Sequence, residues 1–128
     1  MNDSPVAATE ALLLFAHGSS DPEWAEPFVR LQAAMKKRAS GMIIELAFLE
    51  RMQPSFDEAV AALQARGVRQ ITIAPIFLAL GGHMKKDLPM LIDRAGQRTG
   101  IAFRALPAIG EVDILLDAIA GWVLGAKS

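Results

Sequence analysis

The sequence predicts an α/β domain: a doubly wound, mainly parallel four-stranded sheet flanked by helices. Two observations predict it. Short continuous apolar runs, the pattern of strands buried on both faces, alternate with segments whose apolar residues recur at helical spacing. Residues that start and stop helices fall at the joins between them. The resulting β-α-β-α-β-α-β-α order requires right-handed crossovers, which place helices on both faces of a parallel sheet.

The first strand is read at residues 11–16, an unbroken apolar run. Asp21 then serves as an N-cap, with Pro22 at the first helical position. Trp24, Phe28, Leu31 and Met35 recur at helical spacing, with Arg30, Lys36, Lys37 and Arg38 on other faces. Ser40-Gly41 ends that helix, and residues 42–49 form the second strand. Ser55-Phe56-Asp57-Glu58 is a capping box that opens the second helix. Phe56, Ala59, Val60 and Leu63 supply its buried stripe, and Gly67 stops it. The third strand is expected at 70–77, a third helix from near Lys86 to Arg98, and a fourth strand at 101–106. Residues 112–124 read as a last amphipathic helix.

A chain of 128 residues fits one domain with room for a proper core. Its apolar fraction of 52% and mean hydropathy of +0.31 are high for a small soluble protein, so another subunit is expected to cover some apolar surface. The formal net charge of −1 provides no global field for nucleic acid or an anionic membrane, and neither is expected as a partner. There is no cysteine, which excludes disulfides, thiolate metal sites and cysteine nucleophiles. A metal must therefore use nitrogen and oxygen ligands. Residues 1–9 do not read as a secretory signal, and the longest apolar run, 71–82, is too short to span a bilayer. A cytoplasmic location is the expectation.

His17 and His83 are the only histidines, and each lies past a run read as a buried strand. With Glu50, which follows the second strand, they fall at the carboxyl edge of the sheet, where open α/β folds bind ligands. Neighbouring strands lie about 4.8 Å apart, so three adjacent strand ends can bring these side chains into one cleft. Gly18 and Gly81-Gly82 allow tight turns and the close approach of a bulky ligand. Plainer readings exist for each group. A histidine at a strand end is often a satisfied structural residue, and Glu50-Arg51 fits a surface pair. Lys85-Lys86-Asp87 fits a solvated helix start, Ser19 and Ser20 fit ordinary caps, and the methionines fit core filling.

The wording of three segments goes further. Phe15-Ala16-His17-Gly18-Ser19, then Ala47-Phe48-Leu49-Glu50 with Gln53-Pro54-Ser55, resemble signatures of the CbiX-type sirohydrochlorin chelatases of the class II superfamily. The most specific piece is Ala74-Pro75-Ile76-Phe77-Leu78 followed by Gly81-Gly82-His83-Met84-Lys85-Lys86-Asp87-Leu88-Pro89, which resembles that family's second histidine block. The resemblance covers roughly residues 11–107, and the single repeat is similar to the short form.

The resemblance implies a chelatase-like domain at 10–126, one half of the two-domain form, preceded by a tail at 1–9. It implies insertion of a divalent metal, Co²⁺ or Fe²⁺, into sirohydrochlorin on the route to cobalamin or sirohaem. The metal is a substrate and no organic cofactor is expected. His17 and His83 match the family's histidines and Glu50 its acidic residue, either as shared ligand or as base for a pyrrole N–H. A homodimer with facing halves is implied. From position, Ser19, Ser20, Arg51, Gly81, Gly82, Lys85 and Lys86 are candidates for the ring's carboxylate periphery, and Phe77, Leu78, Leu80 and Met84 for its apolar face. The chain departs from relatives at Ile109-Gly110-Glu111-Val112-Asp113, where a polar or histidine-containing turn is common, and it has no histidine-rich tail. Two alternatives stay open. One is a non-catalytic metal-binding or delivery protein on the same fold. The other is a transferase or hydrolase using His17-Gly18, which would call for an arginine where Ala16 stands or for a serine–histidine–acid set.

Overall fold

The computed structural model describes residues 9–126. The expected tail at 1–9 lies outside these apart from Thr9, whose carbonyl accepts from the Arg69 and Gln70 amides.

Four parallel strands, β1 (Glu10–Ala16), β2 (Ile43–Phe48), β3 (Gln70–Pro75) and β4 (Ala102–Ala105), form one sheet in the order β2-β1-β3-β4. The central strand β1 follows the most continuous apolar run, because both of its faces are covered, whereas β3 is buried on alternate residues. Four helices connect and follow them: α1 (Glu26–Arg38), α2 (Phe56–Ala65), α3 (Gly82–Thr99) and α4 (Asp113–Gly125).

Alternation along the strands sorts the core onto two faces. Ala11, Leu13 and Phe15 of β1, with Ile71 and Ile73 of β3, pack beneath α2 and α3 against Phe56, Val60, Leu63 and Leu88. Phe15 meets Phe56 edge-on at 5.6 Å and Phe77 at 6.1 Å. Leu14, Ala16, Ile44, Leu46 and Phe48 face the other way, towards Trp24, Phe28 and Met35 around α1.

The caps behave as their chemistry requires. Asp21 accepts from the Glu23 amide at 3.0 Å and Pro22 opens a short 3-10 turn, Pro22–Ala25, that leads into α1. The Ser55 hydroxyl accepts from the Glu58 amide at 3.1 Å while the Glu58 carboxylate accepts from the Ser55 amide at 2.8 Å. Ser55→Ala removes half of that reciprocal pair and is expected to cost about 1 kcal/mol, read as a lower midpoint in urea unfolding.

Two expectations change. The third helix starts at Gly82 rather than near Lys86, because Gly81 in an extended conformation acts as its N-cap. His83 therefore stands in the first helical turn rather than in a loop. The last helix is not amphipathic: every residue of α4 is exposed, with Ile114 and Trp122 each 74% accessible.

Candidate functional site

The carboxyl edge of the sheet is built by three adjacent strand ends. β1 lies between β2 and β3, and Ala16 is in register with Phe48 on one side while Phe15 pairs with Pro75 on the other. His17 thus leaves the centre of the edge. Glu50 leaves its β2 flank, and the segment that leads to His83 leaves its β3 flank.

His17 and Glu50 are brought together. The ladder continues past the strands: the Leu49 amide donates to the Ala16 carbonyl at 2.9 Å and the Glu50 amide to the His17 carbonyl at 3.1 Å. Gly18 makes this approach feasible. Its φ of +97° lies in the left-handed region, and a Cβ there would sit well inside contact distance of the Glu50 carbonyl oxygen. The role expected for Gly18, room for a ligand, is taken instead by the protein's own backbone. With the two backbones locked, His17 Nδ1 stands 3.9 Å from Glu50 Oε2. Both side chains are about half exposed, so the pair is open to a ligand and is not a buried structural contact.

Arg51 borders the same carboxylate, its Nε 3.9 Å from Glu50 Oε2. Among the described residues it is the one non-glycine with positive φ, at 67°. An arginine in the left-handed region is uncommon, and this turn carries Arg51 alongside Glu50. Sequence reasoning flagged the residue for its charge and had no signal for its backbone.

The His17 ring is also set by Phe77, which it meets edge-on at 6.2 Å between centroids. Phe77 belongs to the connection from β3 to α3, and that connection is held from the far side. The Ile109 amide donates to the Phe77 carbonyl at 3.0 Å and the Gly110 amide to the Leu78 carbonyl at 2.7 Å. A Cβ at Gly110 would run into that Leu78 carbonyl, so glycine is required for the strap to close. Sequence reasoning noted the segment containing Gly110 as a departure and missed its positioning role.

His83 is exposed in the first turn of α3, directly before Met84, which is buried in the α2–α3 core and anchors that turn. Met84 is thereby a core residue and not a contact for a ring face. Lys85 and Lys86 are exposed beside His83. Gly81 caps α3 without a side-chain acceptor, and neither Gly81 nor Gly82 has a neighbour where a Cβ would stand. Ser19 is half-buried and its hydroxyl accepts from the Asp21 amide at 3.0 Å, which leaves its own O–H to donate. Ser20 is exposed.

Among the described residues no three histidine or carboxylate groups are already drawn together as a metal-holding set. The two-member cluster is His17 with Glu50, and His83 stands apart on its helix. A cavity of about 470 Å³ is lined by Leu80, Lys85, Leu88, Ile92, Leu106 and Glu111 among others. It adjoins the start of α3 through Lys85 and does not include His17, Glu50 or His83. Among the described residues no helix is long and apolar enough to cross a membrane.

Comparison with known proteins agrees with this fold. The family model CbiX matches residues 11–123. A sirohydrochlorin cobaltochelatase of Saccharolobus islandicus is 32% identical over 105 residues, covering 82% of this chain and 77% of the relative. That of Methanocaldococcus jannaschii is 36% identical over 83 residues, covering 65% of this chain and 58% of the relative. Among solved structures, a CbiX protein of Marinobacter aquaeolei VT8 superposes with a TM-score of 0.82 at 34% identity, over 92% of this chain and 97% of that one. The sirohydrochlorin chelatase SirB of Bacillus subtilis subspecies spizizenii, solved in complex with cobalt, gives 0.67 at 26% identity, over 77% of this chain and 43% of that one.

Proposed function

The chain belongs to the CbiX family, and we propose that it is a sirohydrochlorin chelatase that inserts a divalent metal, Co²⁺ or Fe²⁺, into the tetrapyrrole ring. The observation that carries the proposal is the half-exposed His17–Glu50 pair, locked by the ladder at the carboxyl edge and flanked by the helix turn bearing His83.

Neutral imidazoles suit Co²⁺ and Fe²⁺ because they bind firmly without the near-irreversible grip of thiolates. His17 Nδ1 lies against the Gly18 carbonyl at 3.4 Å, with Glu50 Oε2 at 3.9 Å, so Nε2 is the nitrogen offered to the metal, in the manner of histidine ligands oriented by a carbonyl or carboxylate. His83 supplies the second imidazole. Glu50 has two roles open to it: completing the coordination, or accepting a proton that the metal displaces from a pyrrole N–H. Arg51, Lys85 and Lys86 would pair with the ring's carboxylates, helped by Ser19, Ser20 and the amides that follow Gly81 and Gly82. Phe77 and the exposed Leu78 would meet its apolar face.

The proposal includes a second copy of the chain, a cytoplasmic location and no organic cofactor. One fact supports the pairing: the chain carries a wholly exposed apolar helix. Initial rates of metallation for Co²⁺, Fe²⁺ and Ni²⁺, followed by the absorption of sirohydrochlorin, test the function. Rates above the spontaneous reaction for Co²⁺ or Fe²⁺ are expected. Metal binding without acceleration would leave a metal-delivery protein on the same fold.

Acidification supplies a second test. Histidine ligates as the neutral imidazole, so protons compete with the metal. Co²⁺ affinity, measured by titration at successive pH values from 8 down to 5, is expected to weaken steadily, and a flat profile would argue against imidazole ligation.

A further inference from the structure

The two histidines of the proposed site are unequally provided. His17 Nδ1 has the Gly18 carbonyl at 3.4 Å and Glu50 Oε2 at 3.9 Å. His83 has neither kind of neighbour: among the described residues its ring has no hydrogen-bond or ion-pair partner. A histidine that ligates a metal almost always gives its second ring N–H to a carboxylate, a carbonyl or water, which fixes both the ring and its tautomer. His83 needs such a partner before it can serve as His17 does.

The helix that carries His83 supplies one. Asp87 follows it by four residues within α3. Four residues turn the helix by about 400°, so the two side chains stand about 40° apart around the axis, with Cβ atoms roughly 5–6 Å apart. Helical side chains lean towards the N-terminus, which carries Asp87 back over the turn bearing His83. Asp87 is exposed and has no hydrogen bond or ion pair among the described residues, so no contact has to break before it can take one up.

The flank of the helix is also the required one. Asp87 lines a trough of about 320 Å³ with Leu49, Met90, Leu91 and Arg94. Leu49 directly precedes Glu50, and its amide is bonded to the Ala16 carbonyl at the end of β1. This side of α3 therefore borders the strand end from which Glu50 leaves. Lys85 lies on the other flank, in the cavity with Leu88, Ile92 and Leu106. Because β3 and β4 are parallel, α3 starts at the carboxyl edge and runs back along the sheet. At 1.5 Å per residue Asp87 lies about 6 Å further from that edge than His83. It stands behind the imidazole, where an orienting partner belongs, and not in front of it with the cation.

We propose that Asp87 is the positioning residue of His83, its carboxylate accepting the ring N–H that faces away from the cation. The site then holds two imidazole–carboxylate pairs, His17 with Glu50 and His83 with Asp87. The assignment rests on the metal-insertion reading proposed above and adds to it the group that orients the second imidazole.

Co²⁺ titration of the full chain at about pH 8, where imidazole is neutral, tests it with wild type, Asp87→Ala, His83→Ala and the double variant. Both positions are exposed and alanine favours a helix, so an unchanged far-UV spectrum is expected throughout. Asp87→Ala is expected to bind Co²⁺ about 10-fold more weakly. In the His83→Ala background the same change should cost nothing, since the ring that Asp87 serves is gone. Asp87→Glu, which keeps a carboxylate on that turn, should recover most of the affinity. An Asp87→Ala protein that binds like wild type, while His83→Ala is weakened, would overturn the pairing and leave the two-imidazole site standing. Equal losses with and without His83 would overturn it too, since Asp87 would then act independently of the ring. Wild-type affinity in His83→Ala would remove the second imidazole itself, and the two-imidazole reading would fall with it.

Discussion

Replacing His17 or His83 with alanine is expected to slow cobalt insertion by at least about 100-fold while leaving the fold unchanged. Both side chains are exposed, and substitution of such residues ordinarily moves stability by no more than about 0.5 kcal/mol. The cost therefore falls on the metal. Losing even an outer partner of a metal ligand costs roughly 10- to 100-fold in affinity or activity, and losing the ligand itself should exceed that. The two variants should be alike, because either change leaves a single imidazole on the cation. Initial metallation rates measured beside the melting temperature check this. Activity close to wild type in either variant would remove that histidine from the site.

Gly18→Ala is expected to have the largest effect on stability at the site, and it acts through the backbone. The residue adopts φ +97°, where an alanine is strained, and the added methyl would strike the Glu50 carbonyl that the ladder brings against it. Strain and overpacking together should cost about 3 kcal/mol, equivalent to a fall of roughly 10 °C in melting temperature for a domain of this size. Gly41→Ala provides the control. That residue has φ +90° and nothing within 4 Å of a Cβ, so it suffers the strain alone, about 1 kcal/mol. The difference between the two measures the close approach that seats Glu50 beside His17. Equal losses in the two variants would show that this approach has slack.

Much of the fold was legible because the signals were local. The unbroken run ending at Ala16, the Ser55–Glu58 capping box and the Asp21-Pro22 start each depend on a few consecutive residues, and each formed as expected. The start of α3 was misplaced because Gly81-Gly82 reads as a turn in isolation, whereas in the chain Gly81 caps a helix anchored by the burial of Met84. The candidate site residues stood out through rarity: with only two histidines in the chain, their place after strands was conspicuous. The Gly18–Glu50 approach, the left-handed Arg51 and the bond from Gly110 to Leu78 were not legible. Each joins segments far apart in sequence or depends on a backbone angle that carries no compositional mark. The unseated α4 was read as amphipathic because Asp113 and Asp117 interrupt it. Only the structure shows that, among the described residues, every position of this helix stays exposed.

X-ray absorption at the cobalt edge of the Co²⁺-loaded protein tests most directly whether a pair of imidazoles grips one cation. The expected spectrum contains two imidazole shells per cobalt with oxygen completing the set, falling to one shell in His17→Ala and to one in His83→Ala. A wild-type spectrum of oxygen ligands alone, or one that either substitution leaves untouched, would contradict it.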